Sequence, residues 1–269
     1  MRYKDLLESH LKYGTTSKDI IKTQGYDKIL ENVVIAPWWG HEMFDSLNYK
    51  CEKTSDKVYN YYGDKVSFSF IEVKLMGAPL VMDYILSLGV TNCKNLLFIG
   101  STGSLDKDIK IGDLVIPEYS ICGDGASRYL NDNLEDELFK REYPSKEITD
   151  ELKDLLKDKK IKYHFVPNFS VDNIFAQFYH MDKILELGAK TIEMETANLF
   201  KCGEIMDINV TALFCISDNT VLNKSVFSGR TEEEHKYRHE VRFEVIPRII
   251  VDLFERIKKW VNMNHYGNM

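Results

Sequence analysis

The chain has 269 residues, of which 44% are hydrophobic and 29% are charged, and its formal net charge is −7. This composition is typical of a globular protein with a substantial core, and the acidic balance argues against binding to nucleic acid or to an anionic membrane. The sequence has no apolar run of membrane-spanning length and no recognisable signal peptide, so we expect a cytoplasmic protein.

Cysteine and histidine spacing gives no sign of a metal site. The five cysteines are widely separated and form no CxxC pair, which predicts reduced, mostly buried thiols. Among the histidines only His235 and His239 stand four residues apart, and that pair lacks the adjoining glutamate that a zinc protease would need. We therefore expect neither a metal nor another cofactor.

The first 30 residues predict two short helices, with Leu6, Leu7 and Leu11 at helical spacing, that form an extension before a single domain over residues 31–261. A short tail, residues 262–269, would follow. Inside the domain, a strand ends at Pro37 and runs into Trp38 and Trp39. Two adjacent tryptophans at such a junction indicate either an aromatic wall of a pocket or ordinary core packing.

The middle of the chain predicts strands that alternate with helices. A hairpin over 58–73 precedes a helix that ends near Leu88, and a buried strand over 95–99 leads into Gly100–Ser104. We predict a loop there, whose backbone N–H groups and hydroxyls could face an anion or a sugar. Further strands are predicted at 111–117 and 163–169. The alternation indicates a three-layer α/β domain without internal repeats.

Three carboxylates stand in apolar surroundings in the last third of the chain. Glu193 and Glu195 are one residue apart, so an extended segment would place them on one side, and Asp218 ends an apolar strand that starts near Val210. In open α/β sheets such strand ends carry the chemistry, although helix-start charges and a turn aspartate would give the same pattern. After a polar segment over 219–231, a long amphipathic helix is predicted over 232–261, with a kink at Pro247.

Five motifs in order resemble the nucleoside phosphorylase family, which includes purine nucleoside phosphorylases, uridine phosphorylases and methylthioadenosine/S-adenosylhomocysteine nucleosidases. The motifs are Phe98–Ser104, Ile111–Ile116, Asp124–Ser127, Ile192–Ala197 and Ile216–Asp218. The resemblance implies a three-layer αβα fold with a mixed, barrel-like central sheet. It also implies a homo-oligomer, as a dimer, trimer or hexamer.

The resemblance also implies roles for individual residues. Asp218 would donate a proton to the departing base, Glu195 would grip the ribose hydroxyls with Met194 against the sugar, and Ser101 would meet the nucleophile. Ser217, Ile174 and Phe175 would contact the base. The segment that carries Ser101 also includes Gly100 and Thr102.

Two departures from the family pattern concern the nucleophile. Where the phosphorylases carry arginines for phosphate, this chain has Glu42 and Phe98, and a carboxylate would repel a dianion. We therefore predict hydrolysis of a purine or purine-like nucleoside, with Glu42 as the base that activates water. Phosphorolysis is the alternative if Lys53, Lys57 or Arg230 rebuilds a phosphate site. A non-catalytic nucleoside-binding relative is the third interpretation, and Trp38 would narrow or alter the pocket.

Overall fold

A computed structural model describes residues 1–266 of the chain, and the side chains of residues 1–258. Its helices are α1 (Tyr3–Lys12), α2 (Ser17–Gln24), α3 (Ala78–Leu86), α4 (Lys146–Asp158), α5 (Met181–Glu186), α6 (Thr196–Met206), α7 (Glu232–Glu240) and α8 (Ile246–Tyr266). Its strands are β1 (Asn32–Pro37), β2 (Lys50–Lys53), β3 (Val58–Tyr62), β4 (Ser67–Val73), β5 (Asn95–Ser104), β6 (Leu114–Gly123), β7 (Arg141–Glu142), β8 (Tyr163–Val171), β9 (Thr191–Glu193) and β10 (Asn209–Asn219).

The strands form one mixed sheet that closes partly on itself. Strand β5 pairs with β1, with β9 and with β10, and the path from β10 through β6, β8 and β9 returns to β5, so these five strands make a closed barrel. The other arm, from β1 through β4 and β3 to β2, extends outward from β5. The fold class predicted from the sequence, α/β with a mixed, barrel-like central sheet, is confirmed.

Side chains of the central strands point alternately into two apolar cores, one on each face of the sheet. Leu97 and Ile99 of β5 point into one core, with the apolar faces of α4 and α8, because successive side chains of a strand face opposite sides. Leu96 and Phe98 point into the other, which α3 and α6 cover. Helices thus lie on both faces of the sheet. Four of the cysteines are buried and all five are free thiols, as predicted.

The segment Gly100–Ser104 is part of β5, and the prediction of a loop there is wrong. Its residues pair with Phe214–Asn219 of β10 on one side, and Gly103 and Ser104 pair with β9 on the other. Gly103 leaves room for side chains of both neighbouring strands, since a Cβ there would lie 3.0 Å from Asp218 Oδ2 and 3.3 Å from Ile192 Cγ2. The backbone N–H groups of this segment take part in strand pairing. An anion here would therefore contact side chains and not a set of free N–H groups.

The predicted C-terminal helix is present but interrupted. A π-helical turn, Val241–Val245, separates α7 from α8, and α8 continues to Tyr266. The turn ends two residues before Pro247, which cannot donate the hydrogen bond that an α-helix requires of an interior residue. Among the described residues, no helix combines the length and apolarity needed to cross a membrane.

Candidate active site

A cavity of about 400 Å³ opens where β1, β5, β9 and β10 end. Its walls include residues from all four strands, from the segment that follows β8 and from the C-terminal helices. They are Pro37, Trp38, Trp39, Met76, Phe98, Gly100, Ser101, Gly103, Val171, Ile174, Gln177, Ile192, Glu193, Met194, Glu195, Phe214, Ser217, Asp218, Val226, Arg230, Arg238 and Arg242. The cavity therefore brings together the acids that the sequence singled out and a group of arginines.

Glu193 is saturated by protein hydrogen bonds. Its two oxygens accept from the side chains of Asn168, Ser170 and Thr196 and from the backbone N–H groups of Glu195 and Thr196, at 2.6–2.9 Å. A carboxylate with this many donors has little capacity left for a ligand. Glu193 consequently fixes the junction between β9 and α6, as a structural residue, and sets the position of its neighbour Glu195.

Glu195 lines the cavity and accepts fewer protein hydrogen bonds than Glu193. The backbone N–H of Gly77 donates to its Oε1 at 2.6 Å. Gly77 adopts φ +94°, a conformation that side chains disfavour. Burial, reinforced by the nearby Glu193, raises the pKa of Glu195 to about 8. The hydroxyls of a bound diol would supply the donors that the buried carboxylate lacks and would favour its ionised form.

Asp218 lies at the end of β10 in a buried position. Ser217 Oγ donates to its Oδ1, and burial raises the pKa of Asp218 above its usual range, an effect that Ser217, Arg230 and Arg238 oppose. Gly103 on β5 makes room for it, since a Cβ there would lie 3.0 Å from Asp218 Oδ2. A carboxyl group with a raised pKa can keep its proton near neutral pH and deliver it to a leaving group.

Three arginines line the cavity, and one of them contacts Ser101. Arg230 Nε donates to the backbone carbonyl of Ser217. Arg238 Nη2 donates to Ser101 Oγ at 2.7 Å. The Nε atoms of Arg238 and Arg242 are buried and have no hydrogen-bond partner among the described residues. Burial lowers the pKa of both Arg238 and Arg242, and the positive charge of a neighbouring arginine acts in the same direction for each. This cluster of positive charge, with buried donors that lack partners, would favour a bound anion.

Comparison of the sequence with known proteins identifies the family of this chain. A family model described as the Phosphorylase superfamily matches residues 58–244. The chain belongs to the phosphorylase superfamily. The DeoD-type purine nucleoside phosphorylase of Clostridium novyi (strain NT) is 26% identical over 202 residues, which cover 69% of this chain and 77% of that protein. The resemblance drawn from the five motifs is confirmed.

Solved structures of other members of the phosphorylase superfamily share the fold. Uridine phosphorylase from Vibrio fischeri ES114 superposes with a TM-score of 0.69 at 16% identity, over 85% of this chain and 93% of its own. The 5′-methylthioadenosine/S-adenosyl homocysteine nucleosidase of Campylobacter jejuni gives a TM-score of 0.65 at 15% identity, over 84% of this chain and all of its own (100%).

The cavity includes most of the residues that the sequence predicted for the site. Ile174, Met194 and Ser217 lie in its wall, and Trp38 contributes to it while remaining 62% exposed. Gly100 and Ser101 also line it, but the Thr102 hydroxyl donates to the backbone carbonyl of Ile192 and Thr102 is absent from the lining. This separation follows from β-strand alternation, which turns Thr102 away from the side that Ser101 faces.

Besides Thr102, two other predicted residues lie outside the cavity. The Glu42 side chain is 64% exposed, because Glu42 belongs to a short 3₁₀ helix, His41–Phe44, that directs Met43 and Phe44 inward. Phe175 is 83% exposed, whereas its neighbour Ile174 lines the wall. The predicted contact of Phe175 with a base is therefore not supported by its position. Lys53 and Lys57 are also absent from the lining.

Arg238 and Arg242 were not found by sequence reasoning. They come from a helix that the sequence suggested only as a packing element, and neither matches a family motif. Their spacing of four residues, which places two side chains on one helical face, was the available signal. This spacing indicates a site only once the helix is known to lie beside Ser101 of β5, which the sequence does not show.

Proposed function

We propose that this chain cleaves the N-glycosidic bond of a purine nucleoside with inorganic phosphate as the nucleophile, releasing the base and a sugar 1-phosphate. The observation that carries the proposal is a pair of half-buried arginines in the cavity wall, Arg238 and Arg242, whose buried Nε atoms have no hydrogen-bond partner among the described residues. Arg238 also contacts Ser101. Guanidinium groups of this kind suit phosphate, which they can bind through two parallel hydrogen bonds. The relative from Clostridium novyi is a purine nucleoside phosphorylase, which agrees with the proposal.

Glu195 would hold the sugar in this reaction. Its carboxylate can accept hydrogen bonds from the 2′- and 3′-hydroxyls, and Met194 and Met76 form the adjoining apolar surface. Binding the diol fixes C1′ relative to the arginines, which converts an encounter of two molecules into reaction within one complex. The negative charge of Glu195 would also stabilise the positive charge that develops on the ribosyl ring.

Bond exchange would take place between the arginines and Asp218. A phosphate oxygen, held by Arg238, Arg242 and Ser101, forms the bond to C1′ while the bond from C1′ to the base nitrogen breaks. The electron pair of that bond goes to the base, and Asp218 supplies a proton to the purine ring. The phosphate loses one negative charge on becoming an ester, and Asp218 becomes a carboxylate.

The hydrolytic alternative depended on Glu42, and the position of Glu42 gives it little support. A base that activates water must lie within hydrogen-bond reach of that water beside C1′, whereas the Glu42 side chain is mostly solvent-exposed. The remaining acids of the cavity have other functions in the proposed mechanism, since Glu193 is saturated and Glu195 would hold the sugar. Phosphorolysis is therefore the better account of the cavity.

Titration with phosphate tests the proposal. We expect release of the purine base from inosine or adenosine to depend on phosphate, to saturate with its concentration, and to fall to background in phosphate-free buffer. Sulfate should compete with phosphate, because it offers the same tetrahedral anion without supporting the reaction. A full rate of base release without phosphate would contradict the proposal, and no base release at any phosphate concentration would favour a binding protein without catalysis.

A further inference from the structure

Arg242 is held in the cavity wall by an aromatic face. Its Cζ lies 4.6 Å from the centre of the Trp39 ring. The carboxylate that attracts its charge is the exposed Glu42, which forms no ion pair with it among residues 1–258. Trp39 is 2% exposed and packs in the core with Met43 and Phe44, so the ring has little freedom to move. Tryptophan is the best aromatic partner for a cation, and partial desolvation of Arg242 strengthens the attraction.

Contact through the ring face leaves the guanidinium edge free. The N–H donors of arginine lie in the guanidinium plane, so an aromatic ring that lies against the face occupies none of them. A carboxylate partner would instead neutralise the charge and use two of the donors. Trp39 can therefore orient Arg242 while leaving its charge and donors available to an anion.

The backbone has an unusual conformation next to Trp39 and at Arg242, the two residues in this contact. Trp38 has φ +61°, a left-handed conformation that is strained for a bulky residue, and its N–H donates to the Val73 carbonyl at 2.8 Å. This turn exposes Trp38 and directs Trp39 inward. On the other side, Arg242 lies in the π-helical turn Val241–Val245, a feature that often marks functional sites.

We infer that Trp39 is a positioning residue for phosphate, holding the Arg242 guanidinium over its indole face so that the in-plane donors point at the anion. The inference rests on the proposed phosphate-dependent reaction. It explains how a chain with Glu42 and Phe98 in place of two arginines can still bind phosphate. The cation is supplied from the C-terminal helix, and Trp39 belongs to the segment after β1.

Kinetics of Trp39→Leu, with Trp39→Phe as the matched control, test the inference. We expect Trp39→Leu to raise the KM for phosphate roughly tenfold, with the KM for the nucleoside changed less than about twofold, since the nucleoside contacts lie elsewhere. Trp39→Phe retains an aromatic face and should keep most of the affinity for phosphate. An unchanged phosphate KM in Trp39→Leu, or an equal rise in both KM values, would overturn the inference.

A double-mutant cycle separates positioning from a general packing defect. Arg242→Lys keeps the charge but loses the planar stacking group, so we expect a similar rise in phosphate KM. Adding Trp39→Leu to it should then change that KM by less than about twofold, because the interaction is already lost. Full additivity would overturn the inference.

Two further outcomes are decided by the same measurements. If Trp39→Leu does not fold, Arg242→Lys decides, and an unchanged phosphate KM in that variant contradicts the inference. A wild-type protein that needs no phosphate would instead refute the proposed function, and with it the positioning role of Trp39. A phosphate-dependent wild type with unaffected variants would refute the positioning role alone.

Discussion

Replacement of Asp218 by asparagine is expected to lower kcat/KM for a purine nucleoside by about 10²–10⁴-fold, the range typical of a general acid. The amide retains the size of the carboxyl group and can accept the hydrogen bond from Ser217, so the fold should be preserved. It cannot transfer a proton to the departing base. Steady-state kinetics together with circular dichroism would measure the two effects separately.

The pH profile gives a second readout for Asp218. Burial raises the pKa of Asp218, and the protonated form is the reactive one, so activity should fall as the pH rises through that pKa. The asparagine variant should lose this falling limb. Asp207→Asn is a suitable control, because Asp207 is exposed after α6 in a left-handed conformation that asparagine adopts readily. Unchanged turnover in Asp218→Asn would remove Asp218 from the acid role.

Replacement of Arg238 and Arg242 together by methionine is expected to raise the KM for phosphate by about 10³-fold. Each arginine should contribute charge-assisted hydrogen bonds of about 1.5–3 kcal/mol to the anion, which corresponds to roughly 10- to 150-fold each. Arg248→Met is the matched control, since Arg248 is exposed on α8 and pairs with Glu244. Normal phosphate saturation in the double variant would contradict the proposed anion site.

Thermal stability should move in the opposite direction from activity in that double variant. Two half-buried cations near each other, with buried Nε atoms that lack partners, cost free energy in the absence of an anion. Replacing them with apolar side chains of similar length removes that cost. We therefore expect the variant to melt at or above the wild-type temperature in phosphate-free buffer. Phosphate should raise the Tm of the wild type, because it binds the folded state, and should leave the Tm of the variant unchanged.

The acids of the site could be predicted from the sequence because they follow strands. Glu195 follows strand β9 and Asp218 lies near the end of β10. Although β9 is antiparallel and β10 parallel to β5, both strands pair with β5 at Gly103, which brings the two acids close together. Local pattern and family motif therefore pointed to the same residues. The barrel closure between β5 and β10 then brings the two acids to one cavity.

The residues that would bind or activate the nucleophile could not be predicted in this way. Glu42 was placed by its distance from β1, but a 3₁₀ turn, which the sequence does not signal clearly, directs it to solvent. Phe175 differs by one position from Ile174, and a shift of one residue is enough to exchange an inward side chain for an outward one. Arg238 and Arg242 reach the cavity only because the C-terminal helix packs near Ser101, a contact between residues 137 positions apart for Arg238.

The central claim is that phosphate, held by Arg238 and Arg242, attacks C1′ of a nucleoside. The most direct measurement is the reaction of inosine with ¹⁸O-labelled phosphate in ordinary water, followed by mass spectrometry of the sugar product. The account predicts ribose 1-phosphate that carries the label, formed in step with hypoxanthine. Unlabelled free ribose, formed as the first sugar product at the rate of base release, would contradict it.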